Sequence, residues 1–170
     1  MTMDNQNTLP ESAARVALLL REIGHDKSVV MLPVSGKTSA EAAASLGCEV
    51  AEIAKSIVFR RLSDDVAVME IASGADRIDE ALVAAIAGPI GKANARFVKE
   101  RIGYAIGGVC PIGHVTRSVI MIDEKLFGFQ SVWAAAGHPH AVFNLTPTQL
   151  QAMTGAPAVA VSERSIPSQA

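Results

Sequence analysis

Residues 55–72 read Lys-Ser-Ile-Val-Phe-Arg-Arg-Leu-Ser-Asp-Asp-Val-Ala-Val-Met-Glu-Ile-Ala, and this stretch decides the fold class. Lys55 to Arg61 is an apolar, β-branched run; Asp64-Asp65 is turn chemistry; Val66 to Ala72 is a second such run. Two strand patterns around an Asp pair predict an antiparallel hairpin. Downstream, Ser118–Ile122, Ser131–Ala136, Ala141–Leu145 and Ala158–Val161 read as further strands, several joined by short turns. Upstream, Ser28 to Leu32 reads as a short strand.

Helices surround these runs. Thr8-Leu9-Pro10-Glu11 is an N-terminal signature ahead of Ala13, Val16, Ala17, Leu20 and Ile23 at helical spacing, with Gly24 as the stop. Thr38-Ser39-Ala40-Glu41 predicts a second helix that Gly47 ends, and Glu49 to Ala54 a short third one. Ile78 to Ala87, Ala93 to Ile102 and Pro147 to Met153 are also expected to be helical. Mixed elements with short connections between the last strands predict an α+β fold. The expectation is a single domain over 9–164, with a mixed, curved, barrel-like β-sheet, flanking helices, and tails at 1–8 and 165–170.

The 170-residue chain is 49% hydrophobic and 19% charged, which excludes a disordered protein. No apolar run approaches the roughly 20 residues that span a bilayer. The polar N-terminus does not resemble a signal peptide, and Cys48 and Cys110 stand far apart without a CxxC, so reduced thiols and a cytoplasmic location are expected. Net charge is −2, but it is unevenly spread. Residues 1–91 carry −5, while residues 92–125 carry +3, so a polyanion would meet the chain at one place only. Lys92, Arg96 and Lys99 fall at i, i+4 and i+7, one face of the expected helix, and are candidates for a nucleic-acid backbone.

Three motifs carry weaker signals. Val34-Ser35-Gly36-Lys37-Thr38 sits between strand and helix like a phosphate-binding loop, but Met31 stands where that pattern needs glycine and Pro33 removes an amide; a turn with a Thr cap fits better. Residues 40–57 mimic a helix-turn-helix, yet the second helix presents Glu49 and Glu52, which repel phosphate. His138-Pro139-His140 lacks neighbouring ligands to complete a metal site, so no metal and no cofactor are expected. No GxSxG elbow occurs, which points away from a covalent nucleophile. Lys55 is the unusual charge, heading an apolar strand beside Ser56. Gly107-Gly108 is either a tight turn or a place where backbone amides approach a substrate.

In order, the Thr38-to-Gly47 helix, the Ala54-Lys55-Ser56-Ile57-Val58-Phe59 strand, the Gly107-Gly108-Val109-Cys110-Pro111-Ile112-Gly113-His114 loop and the closing Leu145-Thr146-Pro147…Thr154-Gly155-Ala156 segment resemble the YbaK/prolyl-tRNA-synthetase-associated domain family. The resemblance implies an aminoacyl-tRNA deacylase that edits mischarged tRNA in trans, with the tRNA acceptor end as partner and prolyl-tRNA synthetase as a second one. It implies catalytic roles for Lys55, Gly107, Gly108 and His138, and substrate contacts from Ser56, Cys110 and His114. Hydrolysis of an activated ester needs a positioned water and oxyanion stabilisation, and amides of the Gly107-Gly108 pair are the expected donors. In this family a hydroxyl of the terminal adenosine orients the water, which accounts for the missing Ser/His/Asp set. The resemblance points to tRNA-Pro or a related tRNA carrying a small wrong amino acid such as Ala or Cys. The alternative is a noncatalytic nucleic-acid-binding protein.

Overall fold

The computed structural model describes residues 9–163, and the expected tails and the Thr8 cap lie outside them. The hairpin forms where the sequence places it. Strand β2 (Ile53–Arg61) runs antiparallel to β3 (Ala67–Ser73), in register from Ala54↔Ser73 to Arg60↔Ala67. The turn takes a positive φ of 59° at Asp65, and Arg61 grips Asp64 at 2.8 Å while Arg60 pairs with Asp65. All seven residues of β3 are buried, because both sheet faces are covered. Met69 and Ile71 enter the main core with Val16 and Leu20 of α1 (Glu11–Glu22), Ile102, Tyr104, Leu126 and Phe143. Val68 and Ala72 face the other way, into a smaller core with Phe59, Met121, Val161 and Val83 of α3 (Glu80–Ala87).

The remaining strands extend the sheet on both sides. β5 (Val119–Asp123) lies parallel to β3, and β8 (Ala158–Val159) parallel to β5. On the other edge of β2, β6 (Val132–Ala135) pairs in parallel at Ile53 and Ala54, β7 (Ala141–Leu145) forms a hairpin with β6, and β1 (Val30–Met31) completes that side. The path is β1-β7-β6-β2-β3-β5-β8, with β4 (Ile90–Lys92) paired to the far end of β2. The expected α+β class and mixed sheet are therefore what forms. The barrel does not close: the path ends at two separate edges, β1 and β8.

Local chemistry explains the helix ends. Thr38 accepts the Glu41 amide at 3.2 Å to start α2 (Ser39–Leu46), which Gly47 ends at φ 68°. Thr146 and Gln149 form a reciprocal capping box on α5 (Pro147–Thr154). Four expectations shift. The 28–32 strand contracts to Val30–Met31. The 49–54 helix is a single 3-10 turn, Val50–Glu52, and Ile53 and Ala54 join β2. The Gly88-Pro89 break opens into β4, a strand too short to show a pattern. The helix expected from Ala93 is α4 (Ala95–Arg101), begun by Asn94, whose side chain accepts the Phe97 amide at 2.8 Å. Lys92 is therefore a strand residue, and the i, i+4, i+7 face does not exist as one surface.

Two acids are buried with the apolar residues. Glu70 and Asp123 are fully buried, and none of their carboxyl oxygens meets a partner among the described residues. Burial, reinforced by the Asp123 charge, pushes Glu70 up to about 9 from the ordinary 4.5. The folded protein thus holds a proton that the unfolded chain releases. That contribution is fully present below about pH 4.5 and is lost as pH rises toward about 9, by at most roughly 1.4 kcal/mol per unit. Glu70→Gln is expected to flatten the fall of thermal stability between pH 5.5 and 8.5 and to exceed the wild type at the upper end. Parallel melting profiles for the two proteins would show that Glu70 is ionised in the fold.

Candidate active site

The site arises where β2 changes partners. β6 leaves β2 after Ala54, and β4 does not join until Phe59. Beside this gap lies a cavity of about 350 Å³. Residues 53–57 of β2 form one wall, and Trp133, Ala134 and Ala135 of β6 a second. The start of α2 (Thr38, Ser39, Ala42), the Gly36-Lys37 loop, Ile106, Gly107, Val109 and Pro139 enclose the rest. Space exists because Ala42, Ala54, Ala134, Ala135 and Ala141 carry small side chains. Among the described residues, the only charged side chains in this lining are Lys37 and Lys55, and no carboxylate is among them. In a chain of net charge −2, the cavity itself is cationic.

Lys55 is half-buried, opposite Ala72 on β3, and its ammonium donates to the Asp76 carbonyl. Desolvation pulls its pKa below the ordinary lysine value; the Asp76 charge opposes that shift and Arg77 adds to it. Ser56 follows it into the lining. The fold thus places the expected lysine in the cavity wall.

The glycine pair divides. Gly107, at φ 95°, lines the cavity, and the Lys37 stem lies against it; a Cβ there would stand 3.0 Å from Lys37 Cγ. Gly108 is outside the lining. Its N–H donates to the Ala105 carbonyl at 3.1 Å, so it is not a free oxyanion donor, contrary to the expectation. A Cβ on Gly108 would meet the His138 N, Cα and carbonyl carbon at 2.7 Å each. Gly108 is glycine because another backbone crosses it.

His138 also lies outside the lining. Its Nδ1 accepts the His140 amide at 3.1 Å, which places the proton of the neutral ring on Nε2, and the two imidazoles stand 5.6 Å apart. Its neighbour Pro139 supplies the rim and accepts the Gly36 N–H at 2.6 Å, sewing the 138–140 turn to the loop before α2.

Cys110 and His114 do not reach the cavity, and their expected substrate contacts are not formed by this geometry. Cys110 is fully buried, and burial pushes its thiol up to about 12. His114 donates from Nε2 to the Cys110 carbonyl at 2.8 Å, and its Nδ1 meets the Ser118 hydroxyl at 3.1 Å; burial holds its pKa down. With the Tyr104 hydroxyl donating to the Ile112 carbonyl at 2.8 Å, these groups brace the 107–114 loop from behind. Lys92 borders a second hollow of about 420 Å³, with Ile57, Val58, Phe59 and Glu80. Arg96 pairs with Glu100 at 2.9 Å on an exposed face, and Lys99 reaches the Gly103 carbonyl at 3.5 Å.

Sequence reasoning missed Lys37 and Trp133. The signal for Lys37 was present in its place next to the Thr38 cap, but mismatch to one phosphate-loop pattern removed it from view. Trp133 had no local signal, since only the β2–β6 pairing brings it to the cavity.

No helix of the described residues is long and apolar enough to cross a membrane. The sequence model of the aminoacyl-tRNA editing domain family matches residues 34–153, a span that contains every cavity residue named above. The uncharacterized protein YwhH of Bacillus subtilis (strain 168) is 32% identical over 126 residues, covering 74% of this chain and 80% of that protein. Among crystal structures, a candidate trans-editing enzyme for prolyl tRNA synthetase superposes with a TM-score of 0.85 at 40% identity, covering 92% of this chain and 99% of that one. The hypothetical protein APE2540 superposes with a TM-score of 0.81 at 28% identity, covering 88% and 99%.

Proposed function

The chain belongs to the aminoacyl-tRNA editing domain family, and from that premise we propose that it hydrolyses the ester of mischarged aminoacyl-tRNA in trans, in the cytoplasm, with tRNA-Pro bearing alanine or cysteine as its substrate and prolyl-tRNA synthetase as the enzyme whose errors it removes. The observation that carries the reading is the cavity itself: small, lined by five alanines together with larger apolar side chains, and charged among the described residues only by two lysines. Its volume is at the low end for small-molecule sites, which suits a small acyl group with part of the terminal nucleoside. A pocket separates side chains differing by one methylene by only ~1–3 kcal/mol, which is why synthetases leave such errors to a second site.

The chemistry follows from the groups present. Lys55 is fixed by the Asp76 carbonyl and poorly solvated, so its charge acts strongly on an anionic oxygen of the substrate or of the tetrahedral intermediate. Gly107 lets the loop backbone approach the acyl carbonyl closely. The neighbouring ribose hydroxyl of the terminal adenosine orients the attacking water. His138 acts on the rim, holding Pro139 and the Gly108 crossing in place. Lys37, exposed at the mouth and without an ion-pair partner among the described residues, takes a phosphate of the acceptor end. Lys92, in the adjoining hollow, takes a more distant phosphate in this reading, whereas Arg96 is already paired with Glu100.

The test is a panel of tRNAs charged with alanine, cysteine, serine and proline. Faster loss of alanine or cysteine than of proline from tRNA-Pro is expected. Binding without turnover across the panel would replace this reading with the noncatalytic one. Lys37→Gln is expected to raise the Michaelis constant about tenfold, the effect of one hydrogen bond to a charged group. The slope of log affinity against log salt should become shallower by about 0.7, the share of one single-strand phosphate. Lys27→Gln, at an exposed lysine outside the cavity lining, serves as the control. Equal salt slopes in the two variants would remove Lys37 from the tRNA path.

A further inference from the structure

The gap in the sheet leaves part of β2 unpaired, and residue parity tells which part. Arg61 N–H donates to the Val66 carbonyl and Gly74 N–H to the Ile53 carbonyl, so odd residues of β2 direct their peptide groups toward β3. Leu62 N–H donates to the Pro89 carbonyl on the β4 side, so even residues face the opposite edge. On that edge Ala54 is covered by β6 and Arg60 by β4. Ser56 and Val58 have no ladder partner there among the described residues. Residues 55–58 are all half-buried, and the two hollows meet at Ile57: the cationic cavity reaches Ser56, and its neighbour reaches Val58.

A free strand residue presents an N–H donor and a C=O acceptor on one edge, spaced to meet the same pair on another strand. An aminoacyl ester carries this pair as well, an α-ammonium donor and a carbonyl acceptor around one Cα. We propose that the main chain of Ser56 is the receptor for the aminoacyl group, its carbonyl accepting from the α-ammonium and its N–H donating to the ester carbonyl, so that the substrate is held as a one-residue strand in the gap between β6 and β4. This rests on the hydrolase reading and deepens it. Recognition through main-chain groups is blind to the side chain, and selection among amino acids falls to the apolar space around it. The N–H directed at the ester carbonyl is also a donor to the oxyanion, in the position that the occupied amide of Gly108 cannot fill.

Two measurements test it. Amide hydrogen exchange, read residue by residue by NMR, should be fast at Ser56 and Val58 and slow at the β3-bonded Ile57. On adding 3′-alanylamido-3′-deoxyadenosine, a non-hydrolysable amide analogue, Ser56 should slow by at least tenfold while Val58 changes little. Slow exchange at Ser56 in the free protein, or no slowing at concentrations where Lys55 and Gly107 resonances have ceased to shift, would overturn the proposal. So would the absence of any such shift. The second measurement compares alanyl-tRNA with propionyl-tRNA, which lacks the α-nitrogen, each rate divided by its uncatalysed rate. A loss of roughly 10- to 100-fold is expected for the missing charged donor; equal normalised rates would overturn the ammonium contact. Ser56→Ala keeps the main chain and should keep the preference for alanyl over propionyl. If no aminoacyl-tRNA is hydrolysed at all, the function falls and the exchange experiment alone decides the binding mode.

Discussion

Lys55→Met is expected to lower deacylation by at least 10²–10³-fold while the protein melts at the wild-type temperature or above it. The rate follows from losing a poorly solvated positive charge in the cavity wall, comparable to removing an oxyanion donor. The stability follows from the sign of the pKa shift. Desolvation lowers the Lys55 pKa, so the folded state disfavours the charged ammonium relative to the unfolded chain, and at neutral pH the charge weakens the fold. Methionine keeps the stem without that cost. Single-turnover hydrolysis and thermal melting on the same preparations separate the effects. A variant that melts several degrees lower would make Lys55 a structural residue, and one with near-normal turnover would remove it from the chemistry. In the wild type, the alkaline fall of activity should begin below the ordinary lysine value of 10.5, and should be absent from the residual activity of the variant.

Gly108→Ala is expected to cost both stability and about 10²-fold in rate, through displacement rather than through loss of a donor. The new methyl would meet three backbone atoms of His138 at 2.7 Å, and none of them is the end of a flexible chain. Overpacking of this kind costs about 1–3 kcal/mol, or roughly 2–10 °C in a protein of this size. Because the 138–140 turn carries Pro139 at the rim, a shift near 1 Å there misplaces the substrate and explains the rate loss. At Gly107 the contact is different: the Lys37 stem can move, and the penalty comes from the backbone angle of 95°. Circular-dichroism melts and single-turnover rates of Gly108→Ala decide the matter; wild-type values for both would mean that the two backbones do not cross as described.

The β2–β3 hairpin was legible because both of its runs are apolar and β-branched and its turn is chemically distinct, and Lys55 stood out as a charge among apolar neighbours. The cavity was not legible, since its walls come from residues 36–42, 53–57, 106–109 and 133–142, brought together only by strand pairing. The Lys92–Arg96–Lys99 stripe was over-read because the spacing of charges says nothing about where a helix starts. Asn94, with its side chain on the Phe97 amide, was the better marker. Gly108 was read for what its amide offers, when its missing side chain is the point. In Cys110 and His114 the loop motif was found, but the sequence does not say which side of a loop faces substrate and which faces the core.

The outer strands at the ends of the sheet path, β1 and β8, are two residues long apiece, and β4, off that path, is three. An extended chain colliding with any of these strands can form only a few ladder bonds before the template runs out, too few to nucleate intermolecular sheet growth. The open edge of β2 on the side away from β3, at Ser56 and Val58, is recessed between two strands that block its extension in both directions. A protein that must keep main chain bare for a ligand thus remains guarded against self-association in a crowded cell, and lengthening β1 by replacing Pro33 would be the change that puts this protection at risk.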